Sequence, residues 1–257
     1  MIRLAASDID GTLLQNGARE IPEEVFTQIR RLKEKGILFA AASGRQYKSL
    51  KGLFAPVAQD IVYLCENGAI IYQDEKVLAK QPMPREDALS LIAQIQGTED
   101  CEVLISGANT SYMMPKQKDY LDHIRYFVGN NIALVNRAED IPEEILKVAA
   151  YCRGGSQNYD KSMGDPWRSK FNAAIAGEKW LDFTLADKGS GLKALCSALG
   201  ITTAETAAFG DNFNDLPMLS SVGEAYIIEG SVLDRAGFAK KGRMKRTDTV
   251  EAILKKM

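Results

Sequence analysis

The sequence predicts an α/β protein with a doubly wound, mostly parallel sheet as its core and a smaller α+β domain inserted into it. At both ends of the chain, short apolar runs alternate with segments of helical periodicity, which is typical of strand-helix-strand units. Between residues 83 and 183 this alternation gives way to a mixed order of helices and strands. We therefore predict a core domain of residues 1–82 and 184–257 and an inserted domain of residues 83–183.

The N-terminal region has the pattern of buried strands connected by helices. Leu4–Ser7 is a short apolar strand, and Val25, Ile29 and Leu32 recur at helical spacing in a helix from about Pro22 to Lys35. Proline near the start of that helix and Gly36 after its end fit the preferences of helix termini. The remaining predicted elements are a strand at Ile37–Ala42, a helix at Gln46–Phe54, a strand at Ile61–Cys65 and a hairpin turn at Asn67-Gly68.

The rest of the chain contains the insert and the return of the alternating pattern. In the insert we predict a helix at Arg85–Gln96, a strand at Glu102–Ile105, a helix at Lys116–Phe127 and a strand at Leu146–Cys152. The alternation then resumes with a helix at Ser190–Leu199, a strand at Ala207–Phe209, a turn at Gly210–Asn214, a helix at Leu216–Ser220, a strand at Glu224–Ile228 and a helix at Val250–Lys256.

Composition argues against nucleic acid or a membrane as the partner. The chain has 32 basic and 34 acidic residues, so it has no global field that attracts polyanions. Its most basic stretch, Lys240 to Arg246, is predicted to be a solvated loop or helix end. No apolar run reaches the roughly 20 residues of a membrane-spanning helix, and Asp8 interrupts any signal-like segment. We expect a cytoplasmic protein, and the oligomeric state is left open.

The cysteines do not form a recognisable metal or disulfide pattern. Cys65, Cys101, Cys152 and Cys196 lie far apart in the sequence, with no C-x-x-C spacing. Neither a zinc site nor a disulfide framework is therefore predicted. We expect the thiols to be reduced and mostly buried.

Four polar clusters follow predicted strands or begin a predicted helix. They are Asp8/Asp10/Thr12, Ser43/Gly44/Arg45, Lys188/Gly189 and Asp211/Asn212/Asn214/Asp215. In open parallel sheets the loops at the carboxyl ends of strands lie along one edge, so these groups can meet in one crevice. The gathered carboxylates would repel one another without a hard cation such as Mg2+, and Lys188, Ser43 and backbone amides can hold phosphate oxygens. The clusters therefore predict a metal and phosphate site for phosphoryl transfer.

The motifs D-I-D-G-T, S-G-R, D-K-G and G-D-N-F-N-D occur here in the order found in the haloacid dehalogenase superfamily. The chain most resembles the Cof-like phosphatases of that superfamily, which carry a large α/β cap between the second and third motifs. The resemblance implies a Rossmann-like core of the haloacid dehalogenase type. It also implies that the insert is the cap that sets substrate specificity.

The resemblance also implies the roles of individual residues. Asp8 forms an aspartyl-phosphate, Asp10 protonates the leaving alcohol and then activates water, and Thr12 supports their loop. Mg2+ is bound by the Asp8 carboxylate, the Asp10 carbonyl and Asp211, with Asp215 acting through a water or a neighbour. The phosphate contacts fall to the Ile9 amide, Ser43, Gly44, Lys188 and Asn214. Arg45 and Asn67 are expected near the cleft, in substrate contact or in domain closure.

These expectations describe a Mg2+-dependent phosphatase for small phosphorylated metabolites, with sugar phosphates as the expected class. One alternative is a phosphomutase of the phosphomannomutase kind, which passes the phosphoryl group to a sugar hydroxyl. A second is a phosphoryl-accepting regulator without turnover, although such a protein has little use for an acid two residues after its acceptor. The four motifs do not separate the first alternative from a phosphatase.

Overall fold

The computed structural model describes residues 1–108, 110–128, 131–239 and 242–257, and the chain forms two compact units. The first unit contains Met1–Ala79 and Asp187–Met257, and the second contains Lys80–Ala186. The predicted borders, after residues 82 and 183, each lie three residues from the borders at 79 and 186.

The N-terminal part of the first unit follows the predicted alternation closely. Its elements are β1 (Leu4–Ser7), α1 (Glu23–Glu34), β2 (Leu38–Ala42), α2 (Tyr47–Leu53), β3 (Ile61–Cys65), β4 (Ile70–Gln73) and β5 (Lys76–Lys80). The predicted strands at 4–7 and 61–65 have these bounds, and the other predicted elements up to residue 65 differ by at most one residue at either end. The hairpin turn predicted at Asn67-Gly68 connects β3 to β4, which are antiparallel.

The second unit is a mixed sheet with helices. Its elements are α3 (Arg85–Gly97), β6 (Cys101–Ser106), β7 (Ser111–Met113), α4 (Lys118–His123), β8 (Ile132–Leu134), β9 (Lys147–Cys152), α5 (Gln157–Tyr159), α6 (Asp165–Trp167), β10 (Asn172–Ile175) and β11 (Trp180–Thr184). Among the described residues the strand order is β10-β11-β9-β6-β7-β8. Neighbouring strands are antiparallel except β7 and β8. The helix predicted over Lys116–Phe127 is regular only to His123, after which Ile124–Val128 forms a π-helical turn.

The C-terminal part completes the first unit. Its elements are α7 (Lys188–Leu199), β12 (Thr206–Gly210), α8 (Leu216–Leu219), β13 (Glu224–Ile228), α9 (Val232–Arg235), β14 (Met244–Thr247) and α10 (Val250–Leu254). Helix α7 begins two residues before the predicted start because Asp187 caps it: the Asp187 carboxylate accepts a hydrogen bond from the Ser190 amide at 2.7 Å. The helix predicted to end at Lys256 ends at Leu254.

The basic stretch from Lys240 to Arg246 differs from its prediction. Lys240 and Lys241 lie outside the described residues. Met244 to Arg246 belong to strand β14, so the expected loop or helix end is wrong there. Lys245 pairs with Glu224 at 3.1 Å and Arg246 with Asp234 at 2.6 Å, so both cations have a partner within the fold.

The sheet of the first unit determines where the polar loops lie. In the part of the chain that the structure describes, its order is β14-β13-β12-β1-β2-β3-β4-β5, and all pairs from β14 to β3 are parallel. Every residue of β1, β3 and β12 is buried, as expected for parallel strands covered on both faces. Because β12, β1 and β2 are adjacent and parallel, the residues that follow them, Asp211, Asp8 and Ser43, meet at one edge.

Two glycines allow the β3–β4 turn to approach the start of α7. Gly68 has φ +93°, and a Cβ there would lie 2.6 Å from the carbonyl oxygen of Asp187. A Cβ on Gly191 would lie 2.6 Å from the Cα of Gly68. The turn and the first turn of α7 therefore pack backbone to backbone, which fixes the position of Lys188.

Within the described ranges, every helix is too short or too polar to traverse a lipid bilayer.

We expect Gly68→Ala to lower the free energy of unfolding by about 2 kcal/mol or more, because the new methyl group is strained at positive φ and collides with backbone. Gly52→Ala is the matched control. Gly52 lies exposed in α2 with open space at its Cβ, so this change should be neutral or stabilise by about 0.5–1 kcal/mol. Urea denaturation of both variants measures the difference, and equal stability would contradict this view of the turn.

Candidate active site

Asp8 directly follows the central strand β1 and is 5% exposed. Its amide donates a hydrogen bond to the carbonyl of Phe209 at the end of β12, at 3.0 Å. The chain then turns tightly, since the carbonyl of Ile9 accepts hydrogen bonds from the amides of Leu13 and Leu14. Gly11 has φ +97°, and a Cβ there would lie 2.7 Å from Cγ of Asp211. Glycine in D-I-D-G-T is therefore needed both for the backbone conformation and for the approach of Asp211.

Lys188 joins two buried carboxylates. Its Nζ donates hydrogen bonds to Oδ1 of Asp8 at 2.5 Å and to Oδ1 of Asp215 at 2.6 Å. Lys188 is 1% exposed and Asp215 is fully buried. Burial alone would lower the pKa of Lys188, but Asp215 and Asp8 raise it above its ordinary value. The ammonium group is therefore held in its charged form by the carboxylates that it binds.

The loop after β12 is organised by Asp215. Its Oδ2 accepts hydrogen bonds from the amides of Asp211 and Asn212, both at 3.0 Å. A Cβ at Gly210 would lie 2.6 Å from Cβ of Asp215, so glycine is needed at the end of the strand. Asp215 thus closes the loop in which Asp211 lies.

Asp8, Asp211 and Asp215 form an acidic cluster with the composition of a metal site. Each offers an oxygen, and these atoms lie within 4.8 Å of one another. Thr12 Oγ1 donates a hydrogen bond to Oδ1 of Asp211 at 3.1 Å, consistent with its predicted supporting role. Burial and the nearby Asp215 raise the pKa of Asp8 well above its usual value, and the same two causes raise the pKa of Asp211.

One carboxylate oxygen of the cluster lacks a partner. Asp8 Oδ2 is buried and accepts no hydrogen bond from the described residues. Such an atom is costly unless something binds it. Three carboxylates facing one ammonium leave an excess of negative charge, and hard oxygen donors of this kind suit Mg2+.

Asp10 lies outside this cluster although it is two residues from Asp8. Arg45 Nε and Nη2 donate hydrogen bonds to its two carboxylate oxygens at 2.8 and 2.6 Å. This bidentate pair is half-exposed, and the hydrogen bond with Asp10 raises the pKa of Arg45. The carboxylate of Asp10 is therefore free of the metal cluster, and the predicted contribution of its carbonyl to the metal remains a prediction.

The S-G-R motif forms the adjoining loop after β2. Ser43 is buried, its Oγ accepts a hydrogen bond from the amide of Arg45 at 3.2 Å, and its carbonyl accepts one from the amide of Asn67 at 2.9 Å. Asn67 has φ +56°, and a Cβ on Gly44 would lie 3.2 Å from its Oδ1. The fold therefore brings Asn67 next to the motif.

The predicted phosphate contacts belong to three of these loops and one helix. Ile9 follows β1, Ser43 and Gly44 follow β2, Lys188 begins α7, and Asn214 lies in the loop after β12. The side chain of Ile9 is fully buried, whereas Asn214 is exposed. Their contacts with phosphate remain predictions.

Sequence reasoning treated Gln46 only as the start of a helix. It is the N-cap residue of α2 and 4% exposed, and neither polar atom of its amide has a hydrogen-bond partner among the described residues. The D-x-x-S pattern from Asp187 to Ser190 is typical of a capped helix start and could have placed the first residue of α7 correctly.

Comparisons with known proteins agree with the motifs. The family model for haloacid dehalogenase-like hydrolases matches residues 5–232. The 5-amino-6-(5-phospho-D-ribitylamino)uracil phosphatase YbjI of Escherichia coli strain K12 is 24% identical over 262 aligned residues, covering 99% of this chain and 97% of the relative. The HMP-PP phosphatase of Enterobacter sp. strain 638 is 29% identical over 240 residues, covering 89% of this chain and 84% of the relative.

A solved structure from Eubacterium rectale has the same fold. It superimposes with a TM-score of 0.87 at 24% identity, covering 99% of this chain and 98% of the other. The predicted Rossmann-like α/β fold class is thereby confirmed. The chain belongs to the haloacid dehalogenase-like hydrolases, and the enzyme class predicted from its motifs, a phosphatase of this family, is confirmed.

Proposed function

We propose that this protein is a Mg2+-dependent phosphatase that hydrolyses small phosphorylated metabolites through a phosphoryl group carried on Asp8. The environment of Asp8 is the observation that supports the proposal most. Lys188 holds one of its oxygens, and the other is buried without a partner beside Asp211 and Asp215. A nucleophile next to both a fixed cation and a metal-binding cluster suits attack on phosphorus.

The donor set fits Mg2+. We assign the ion to the carboxylates of Asp8 and Asp211 and to the carbonyl of Asp10. Asp215 would act through a water or a neighbouring residue, because its oxygens already accept hydrogen bonds from Lys188 and from two backbone amides. When bound, Mg2+ would supply positive charge that offsets the repulsion between the phosphate and these carboxylates. Thr12 would keep Asp211 in place through its hydrogen bond.

The proposed reaction has two steps. In the first, an Asp8 oxygen forms a bond to phosphorus while the bond from phosphorus to the leaving oxygen breaks, and Asp10 donates a proton to that oxygen. In the second, Asp10 takes a proton from water, the water oxygen bonds to phosphorus, and the bond to Asp8 breaks to release phosphate. Lys188 faces the reacting carboxylate throughout and offsets the charge that develops on the transferring group.

Arg45 is assigned to orient Asp10 in this scheme. Its guanidinium group donates hydrogen bonds to both oxygens of the Asp10 carboxylate, which limits rotation of the Asp10 side chain. Asp10 is half-exposed, so the leaving oxygen in the first step and the attacking water in the second can both reach its carboxyl group. Substrate contact by Arg45 or Asn67 remains a prediction.

The names of two relatives support a small phosphorylated substrate. One is named for a phosphorylated ribityl-amino-uracil and the other for HMP-PP. We propose phosphate esters of sugars and related polyols as the substrate class, with residues 80–186 acting as the specificity cap. We also propose a cytoplasmic location, which suits an enzyme whose four cysteines are free thiols.

Incubation with a panel of sugar phosphates and Mg2+ tests the proposed function directly. We expect release of inorganic phosphate, and borohydride should reduce the acyl-phosphate at position 8 so that mass spectrometry detects it there. Asp8→Asn should lower turnover by roughly three orders of magnitude or more and abolish the trapped adduct. A labelled sugar phosphate that is isomerised without phosphate release would instead indicate a phosphomutase.

Removal of divalent ions should abolish turnover, and added Mg2+ should restore it. Asp211→Asn should raise the Mg2+ concentration for half-maximal activity by about tenfold or more, because it removes a charged ligand. Asp60→Asn is the control, since Asp60 pairs with Lys33 on the surface, and it should leave that concentration unchanged. Equal Mg2+ dependence of the two variants would overturn the metal assignment.

The role of Asp10 predicts a dependence on the leaving group. Asp10→Asn should slow formation of the phosphoryl-enzyme from an alkyl phosphate by about 10²–10⁴-fold, since the alkoxide then leaves without a proton. Formation from p-nitrophenyl phosphate should be much less affected because its leaving group is already a weak base. Rapid-quench kinetics with both substrates measure these rates. An equal loss of rate with the two substrates would argue against general acid catalysis by Asp10.

A further inference from the structure

Two cysteines meet in the second unit, where the spacing of cysteines in the sequence predicted no pair. Cys101 begins β6 and Cys152 ends β9, and the two residues lie directly opposite each other in the antiparallel ladder. Their Sγ atoms are 3.5 Å apart, and both residues are fully buried. The remaining two cysteines, Cys65 and Cys196, belong to elements of the other unit.

The backbone around this pair has the geometry that a disulfide needs. The amide of Cys101 donates to Thr98 at 3.1 Å and that of Cys152 to Lys179 at 2.7 Å, so neither amide bonds to the opposite cysteine. The amide of Arg153 donates to the carbonyl of Asp100 at 3.0 Å, which flanks the pair. This is the pattern of a non-hydrogen-bonded pair, whose Cα atoms lie about 4.5 Å apart. That separation is within the range of roughly 4.4–6.8 Å seen in disulfides.

The two thiols differ in their tendency to ionise. The hydrogen bond between the two thiols lowers the pKa of Cys101, and the ammonium of Lys116 contributes to the same shift. Lys116 is fixed close by, since its Nζ donates to the carbonyl oxygens of Cys101 and Thr98 at 2.6 and 2.7 Å. The hydrogen bond with Cys101 and burial raise the pKa of Cys152. Because the Lys116 ammonium is held at Cys101 and favours its thiolate, Cys101 is assigned as the nucleophile and Cys152 as the resolving thiol.

The pair is buried, but it lies at the end of the ladder, where local opening admits a small oxidant. Asp100, directly before Cys101, is exposed, and so is Gly154, two residues after Cys152. The ends of a ladder open more readily than its centre. Local opening at this end would expose the sulfurs without unfolding the sheet.

We propose that Cys101 and Cys152 form a reversible thiol-disulfide couple that is oxidised by hydroperoxides. The Cys101 thiolate attacks a peroxide oxygen, the oxygen-oxygen bond breaks, and Cys101 becomes a sulfenic acid while water or an alcohol leaves. The sulfur of Cys152 then attacks the sulfur of Cys101 and displaces a second water. Overall two thiols lose two hydrogens, and one peroxide is reduced. Thiol reductants such as dithiothreitol reverse the oxidation.

Treatment of the full chain with hydrogen peroxide, followed by alkylation under denaturing conditions and peptide mapping, tests this couple. The number of free thiols should fall from the four of the reduced protein to two. A linked pair of peptides containing Cys101 and Cys152 should appear, two hydrogens lighter than the separate peptides, and should disappear with dithiothreitol. Four remaining free thiols, or overoxidised Cys101 without a linked peptide, would overturn the proposal.

Matched serine variants separate this couple from oxidation of any buried thiol. Cys196→Ser should still form the linked peptide, because burial raises the pKa of Cys196 and it lies in the other unit. Cys101→Ser should not form it. Peroxide should raise the melting temperature of the parent, because a disulfide constrains the unfolded chain, and should leave that of Cys101→Ser unchanged. If Cys101→Ser fails to fold, the peptide maps of the parent and of Cys196→Ser are sufficient to test the couple. A linked peptide that joins any other pair of cysteines would contradict the assignment.

Discussion

One buried ammonium group holds together the polar loops at one edge of the first unit's sheet. Lys188 donates to Asp8 and Asp215, and each of these carboxylates would be very costly to bury without a paired cation. The position of Lys188 depends in turn on the cap of α7 by Asp187 and on the approach of Gly68 to Gly191. A small turn between two strands therefore controls the geometry of a charge network formed by residues far apart in the sequence.

The first unit could be predicted well because its signals are local. Continuous apolar runs such as Leu4–Ser7 and Ile61–Cys65 are what fully buried parallel strands require, and the motif residues follow such runs directly. Once the strands are adjacent and parallel, the polar residues after them must share one edge. The approach of Asp211 to Asp8 thus follows from topology, whereas the position of Lys188 depends on how α7 packs against the β3–β4 turn.

The second unit was harder to predict because its signals are weak or depend on strand pairing. β8 and β10 are three and four residues long, and neither contains a buried residue, so they lack the alternation that identifies a strand. The contact between Cys101 and Cys152 depends on the register of β6 against β9. Spacing in the sequence says nothing about that register, and the absence of C-x-x-C therefore could not exclude a pair of neighbouring thiols.

The separation of Asp8 from Asp10 explains how two carboxylates so close in sequence can take the two different roles proposed for them. In a continuing strand both side chains would point to one face and share one environment. Here the turn closed on the carbonyl of Ile9, with Gly11 at positive φ, directs Asp10 to Arg45 while Asp8 remains buried against Lys188. The carboxylate proposed as the nucleophile is thereby buried beside a cation, and the one proposed as the general acid and base stays exposed. Asp8 and Asp10 are the same residue type and differ only in their environments, so the two roles proposed for them depend on this turn.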